Sequence, residues 1–480
     1  MSRFKRATAA VLAGAMSVSL AACGSSTDGS ASSGSAAASG STTTAAAGAA
    51  TTKSSGSSDG KTVINVWSND RHDEEYVTKM VDQYNQTNTD NIEINLTIIT
   101  DNYDNMIQMA VNGGSNAPDI IGSPSTALTN WADTGIIEPL NSYIDKDEEY
   151  QKVNDPYNHA YEGLNSEDGQ IYYVYSGMRS GVRVEYNKDL LAQNGFTDIP
   201  KTLDEYTSMA QTITDNGNGE YYGIGFTSSS PFERLLEMVA QVSGIYYYDY
   251  VNGKFDFSGY KEIIEKGQQL VKAAYPDQQG VDNMRALFAQ GSFALWSNAS
   301  QEAGVFTQQL PITDFEWGVA EIPSLTGEIK GALQTTPSKG YGMIRTSKNK
   351  DAAWKVISYF QSEEFLKGYL EGGYCLPITD YMDGVIDKSK IGRLADFSKL
   401  SYEDVYPTVP SVNLQGDNYR TVLWNAVMGY VSADEAIADL NQRYNDALEA
   451  DVKSGSVKRL VISDYDPLHP SKGTATYLTK

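Results

Sequence analysis

Between residues 62 and 121 the chain changes its hydrophobic period four times, and this alternation limits the possible folds more than any other feature. Thr62-Val63-Ile64-Asn65-Val66-Trp67 is short and β-branched. Residues 74–86 then place Tyr76, Val77, Met80, Val81 and Tyr84 at helical spacing. Residues 92–98 alternate as a second strand, 103–112 read as a helix, and 117–121 as a third strand. Strand and helix in strict alternation predict an α/β sheet of mostly parallel order. The pattern resumes with strands at 170–174 and 181–186 and helices over 188–194, 203–214 and 231–242.

What precedes this body differs in kind. Arg3, Lys5 and Arg6 are followed by a weakly apolar stretch, 7–22, that closes on Leu20-Ala21-Ala22-Cys23. Such a stretch is shorter than the ~20 residues a membrane span needs, so the layout predicts a secretory signal. Residues 24–60 are almost entirely Gly, Ser, Thr and Ala, with Asp28, Lys53 and Asp59 as the only charges. With nothing to bury, they are expected to form a flexible tether spanning roughly 35 Å.

The body after residue 60 exceeds the ~250–300 residues at which single cores stop growing, so two lobes are expected. A formal charge of −24 argues against nucleic acid and anionic lipid as partners. His72, His159 and His469 are scattered, and Cys23 and Cys375 are the only cysteines, so no zinc spacing exists and no metal or cofactor is expected. No phosphate-binding glycine loop or nucleophile elbow is present, so nothing marks a catalyst. Residues 214–223 have the Asp, Asn and Gly of a calcium loop, but Gly217 and Gly219 stand where oxygen ligands belong, so a plain turn is expected. Tyr outnumbers Phe by 32 to 13, a bias that suits wet surfaces and sugar rings.

Several motifs fall in one order: VINVWSND, NAPDII, TGIIEPL, DGQIYYV, VEYNKDLLAQNGFTDIPKTLDEY, LFAQGSFALWSNAS, WGVAEIPS and GYGMIRTSKNKDAAWKVISYFQSEEFLKGYLEGGYCLPI. Together they resemble the extracellular solute-binding proteins of ABC importers, in the sugar-binding group that includes maltose-binding protein. The Leu-Ala-Ala-Cys end of the leader likewise resembles the lipobox of bacterial lipoproteins, implying lipidation at Cys23. The resemblance implies a two-lobed periplasmic-binding-protein-like fold with a hinge and a central ligand cleft. It puts 61–178 and 332–360 in a first lobe and 179–331 and 361–450 in a second, with 451–480 an extension of no assigned role. It implies capture of a carbohydrate, an oligosaccharide above all, and delivery to a permease by a monomer held to the membrane through its N-terminal lipid alone. The long tether suits a thick Gram-positive wall.

On this basis the cleft contacts are expected at Asn69, Asp70 and Arg71 after the first strand, Ser123 and Ser125 after PDII, and Arg179 and Ser180 at the first crossing. Phe232, Trp296, Asn298 and Tyr374 complete the set, with Trp296 and Asn298 expected to follow a strand at 291–295. Small residues at 123 and 125, where maltose-binding relatives place an aromatic and polar contacts, speak against a maltodextrin preference. Trp131, Trp317 and Trp354 read as packing residues, and Cys375 as an inert thiol. Two alternatives stay open at this point: a surface-anchored glycoside hydrolase with two carboxylates, and the same fold binding a peptide, polyol or polyamine.

Overall fold

A computed structural model describes residues 60–114, 117–124 and 128–479. The expected leader, Cys23, the tether and Ser125 lie outside these residues. Apart from two short hairpins, Ser166–Glu167 with Gln170–Ile171 and Tyr248–Asp249 with Lys254–Phe255, the strands of the body are in chain order β1 (Thr62–Ser68), β2 (Ile92–Ile98), β3 (Ile120–Gly122), β4 (Tyr173–Arg179), β5 (Arg183–Asn187), β6 (Tyr222–Ile224) and β7 (Phe293–Asn298). They continue with β8 (Trp317–Ala320), β9 (Leu333–Gln334), β10 (Thr336–Met343), β11 (Glu403–Asp404), β12 (Arg459–Ile462) and β13 (Ala475–Leu478).

One sheet has the order β2-β1-β3-β10-β4. Its first three strands are parallel, as the alternation predicts, with Ile64 opposite Ile94 and Val66 opposite Ile120. The chain returns much later to add β10 antiparallel between β3 and β4. Period-two alternation sends Ile64 and Val66 into one core and Trp67 towards another, so both faces are covered. Helix α1 (Glu74–Thr87) buries Val77, Met80, Val81 and Tyr84 against the first of these cores. Helix α2 (Tyr103–Gly113) buries Tyr103 and Ile107 against the second.

The second sheet, β8-β5-β7-β6, is built on the same plan. Val184 and Leu295 face a core shared with Leu203, Tyr206, Ala210 and Ile213 of helix α3 (Leu203–Gly217). Phe293, Trp296 and Trp317 face the opposite core. The helix expected over 231–242 is a π-helical turn, Glu233–Glu237, followed by α-helix Met238–Val242.

Lobe membership differs from the expectation in two places: Ala332 and Leu333 pack in the second-lobe core, and the segment after residue 360 stays in the first lobe. Helices α4 (Lys350–Phe360) and α5 (Glu363–Glu371) both pack on the first sheet, α5 through Phe365, Leu366, Tyr369 and Leu370. Met382 and Ile386 join the same core, whereas Ile391, Leu394 and Phe397 enter the second lobe. The third crossing thus falls at 386–391 rather than at 360, because the apolar face of α5 matches the surface left by α1 and α4. The other crossings are β4 to β5 and β9 to β10. The 451–480 extension is part of the fold: β12 and β13 form a hairpin whose Leu460 and Ile462 seal the second-lobe core. Part of the tyrosine surplus is internal too, since Tyr173, Tyr206, Tyr248, Tyr250, Tyr260, Tyr341 and Tyr369 are among the largest sealed side chains. Among the described residues, no helix is long and apolar enough to cross a membrane.

Candidate ligand cleft

Register places the cleft. In the first sheet β3 ends partway along β10, where Gly122 is opposite Tyr341 and Ser123 N–H donates to the Gly340 carbonyl at 3.0 Å. Thr336, the first residue of β10, is opposite Arg179, the last of β4. In the second sheet β7 ends with Asn298 opposite Arg183, the first residue of β5, and β6 runs parallel to β7. The C-terminal edges of the two sheets therefore meet at the crossings. Ligands in open α/β sheets sit outside such edges.

The first-lobe wall brings together five of the expected residues. Asn69, Asp70 and Arg71 form the turn from β1 into α1, with Asp70 N–H donating to Ser68 Oγ at 3.3 Å. Asn69 and Asp70 are half-buried and Arg71 is exposed. Ser123 follows β3 against Gly340. Tyr374 packs its ring on Tyr369, centroids 5.0 Å apart and 22° between planes, and lies 6.3 Å from the His72 ring beside the turn. At the crossing, Arg179 is exposed, and its carbonyl accepts from the Thr335 hydroxyl. Ser180 is buried and donates its N–H to Ser300 Oγ at 3.3 Å.

Three expected contacts are corrected. Trp296 is 1% exposed, enclosed by Phe288 and Phe306 at 6.0 Å each. Asn298 is equally sealed, its Oδ1 occupied by Ala299 N–H and Gln301 Nε2. β7 runs three residues past the expected strand end, so Trp296 lies inside it and Asn298, its last residue, is buried all the same. Phe232 is sealed in the second-lobe core, 5.9 Å from Tyr260. None of the three presents a surface to a ligand.

Beneath the first-lobe turn lies a buried polar group that the sequence does not announce. Lys339 Nζ donates to Ser68 Oγ at 3.0 Å and sits 3.2 Å from Asp70 Oδ2 and 3.1 Å from Asp73 Oδ2. Tyr369 OH donates to Asp73 Oδ2 at 2.9 Å. Burial works against the Lys339 charge, but Tyr341, Asp73 and Asp70 outweigh it and hold the ammonium protonated above the usual lysine range. A lysine in a strand ordinarily reads as exposed, so nothing in the sequence marks it. Burial pushes the Cys375 thiol up. Among the described residues no group of three or more His, Cys, Asp or Glu could hold a metal ion.

Two α/β lobes with a polar cleft at the strand ends define the binding-protein class. Residues 68–367 match the bacterial extracellular solute-binding protein family, and the chain belongs to it. It is 25% identical over 346 residues to a binding protein of Brucella abortus, covering 68% of this chain and 79% of that protein. It is also 25% identical over 293 residues to the maltotriose-binding protein of Pyrococcus abyssi, covering 58% of this chain and 59% of that one. In structure it resembles the substrate-binding protein of Listeria monocytogenes solved with cycloalternan (TM-score 0.60, 23% identity, 81% of this chain and 99% of that one). It resembles equally the cyclic α-maltosyl-1,6-maltose binding protein of Arthrobacter globiformis (TM-score 0.62, 21% identity, 82% and 100%).

Proposed function

We propose that this protein captures a carbohydrate, an oligosaccharide, outside the cell and delivers it to the permease of an ABC importer when the two lobes close on it. The observation that carries the reading is the first-lobe wall, where Asn69, Asp70, Arg71 and Ser123 offer donors and acceptors beside the Tyr374 ring. Hydroxyl-rich rings need that mixture, since each sugar offers polar edges and an apolar face. Family membership and the glycans named for the relatives support it. The protein performs no chemistry on its ligand in this reading. It works as a monomer on the outer face of the membrane, held by lipid on Cys23 and the tether that follows.

The test is a thermal-shift screen of the body against mono- and oligosaccharides, with peptides, polyols and polyamines alongside. A ligand that binds the folded state raises the melting temperature. A shift with one glycan class, glycan recovered intact, supports the reading. Consumption of the glycan would instead indicate a hydrolase, and shifts with peptides or amines alone would sink the sugar.

A further inference from the structure

We propose that Lys339 is a positioning residue for the ligand site: its buried ammonium aims the Asp70 carboxylate into the cleft. The inference rests on the reading of the cleft as a glycan site and adds a residue that contacts no ligand itself.

Three observations converge on it. Lys339 has φ +57°, the left-handed region that favours glycine. In the pairing of β10 with β4, Ser338 is opposite Gly177 and Gly340 is opposite Tyr175, so the register runs on without a slip and Lys339 is a left-handed residue inside a strand. Strained backbone of this kind persists where the surroundings over-determine it, and here they do so through the ammonium.

The two carboxylates around that ammonium are not equivalent. Asp73 is 0% exposed and spends both oxygens inside, on Lys339 and on Tyr369 OH. It suffices as the buried counter-ion. Asp70 is therefore in excess as a counter-ion, yet its side chain is 31% exposed and only Oδ2 touches Lys339. Its Oδ1 is 3.7 Å from the exposed His72 ring. Lys339 holds Asp70 Oδ2 while Ser68 Oγ accepts from the Asp70 backbone N–H, which leaves the half-buried carboxylate as an acceptor suited to a pair of adjacent sugar hydroxyls. Lys339 and the Arg71 guanidinium of the same turn balance Asp70 and Asp73, so the site suits a neutral ligand rich in donors. Lys339 is also three residues from Thr336 at the crossing, so the group that aims Asp70 rides on the strand that enters the hinge.

The experiment pairs Lys339→Gly with Asp73→Asn, which accommodates the left-handed backbone and leaves no buried charge unpaired. Ligand-free crystals of the wild-type protein and of this double variant form the first arm. The Asp70 carboxylate is expected to swing or lose order while β1 and α1 superimpose, and an unmoved Asp70 overturns the proposal. Calorimetry with maltotriose forms the second arm. The double variant is expected to bind at least tenfold more weakly at an unchanged melting temperature. Adding Asp70→Ala to it should cost nothing further, although Asp70→Ala alone costs a similar factor. Additive losses overturn the proposal. A wild-type protein that ignores maltotriose counts against that ligand, and the crystallographic arm still decides the positioning.

Discussion

The Arg183 guanidinium lies 2.7 Å from the Glu403 carboxylate, and both side chains are almost sealed from solvent. Glu403 Oε1 also accepts from Gly181 N–H at 2.7 Å, and Arg183 Nη2 donates to the Ser398 carbonyl at 3.2 Å. One ion pair thus joins the first crossing to the segment that returns from the third. Removing one member leaves a buried charge without its partner, so Glu403→Gln should cost on the order of 3–5 kcal/mol in denaturant unfolding. Replacing both by apolar residues of similar volume should cost clearly less, and an equal loss would show that packing rather than charge is at stake.

Gly181 carries a related prediction. A Cβ there would meet Leu333 Cγ at 2.7 Å and Glu403 Oε1 at 2.8 Å. Gly181→Ala should therefore destabilise by about 1–3 kcal/mol through overpacking. A melting temperature equal to wild type would mean that the crossing has slack the contacts do not suggest.

Trp296 and Tyr374 should separate stability from binding. Trp296→Ala opens a cavity in a phenylalanine cluster and should lower unfolding free energy by about 3–5 kcal/mol. Tyr374→Ala, at a half-buried ring beside the cleft turn, should leave the fold nearly intact and weaken glycan affinity in calorimetry. The reverse pattern would return Trp296 to the ligand site.

Glu185 predicts a pH dependence. It is fully buried on β5, and neither carboxylate oxygen has a hydrogen-bond partner. Burial, and after it the neighbouring Glu302, push its pKa well above the usual carboxylate range. A folded pKa above the unfolded one means that the folded state binds more protons. The stability it contributes is complete below ~4.3 and declines as pH rises towards the folded pKa. Glu185→Gln should thus match wild type near pH 4 and exceed it by about 1.4 kcal/mol for each further unit, until the folded carboxyl ionises. Urea melts at several pH values check this, and a constant difference would refute it.

The elements of the first lobe were legible because each buries one face. The strand at 92–98 has the expected bounds, and the helices at 74–87 and 103–113 extend the expected ones by one residue. The turn after β1 was legible as a polar strand end for the same reason, since its residues have no core to serve, and it is the ligand wall we propose. Trp296 misled because β7 is sealed on both faces, FALWSN being buried throughout, so alternation could not say where the strand stops. Helix α5 was misplaced because its apolar face fits any core, and tertiary packing, on Tyr76 and Phe360 among others, is what assigns it to the first lobe. Lys339 was invisible for a deeper reason. Its partners Ser68 and Asp73 are more than 260 residues away in sequence, and no local pattern encodes a contact of that separation.

The way the lobes are joined also fixes how they can move. Arg179 is paired with Thr336, Leu333 with Glu403, and Glu403 with Gly181, so the first two crossings and the return from the third lie side by side in one hydrogen-bonded ribbon. A ribbon bends readily about a single line and resists shear and torsion. In the closure we propose, the distance between the cleft walls would be one mechanical coordinate rather than three, and whatever reads that distance would read the whole state of the molecule.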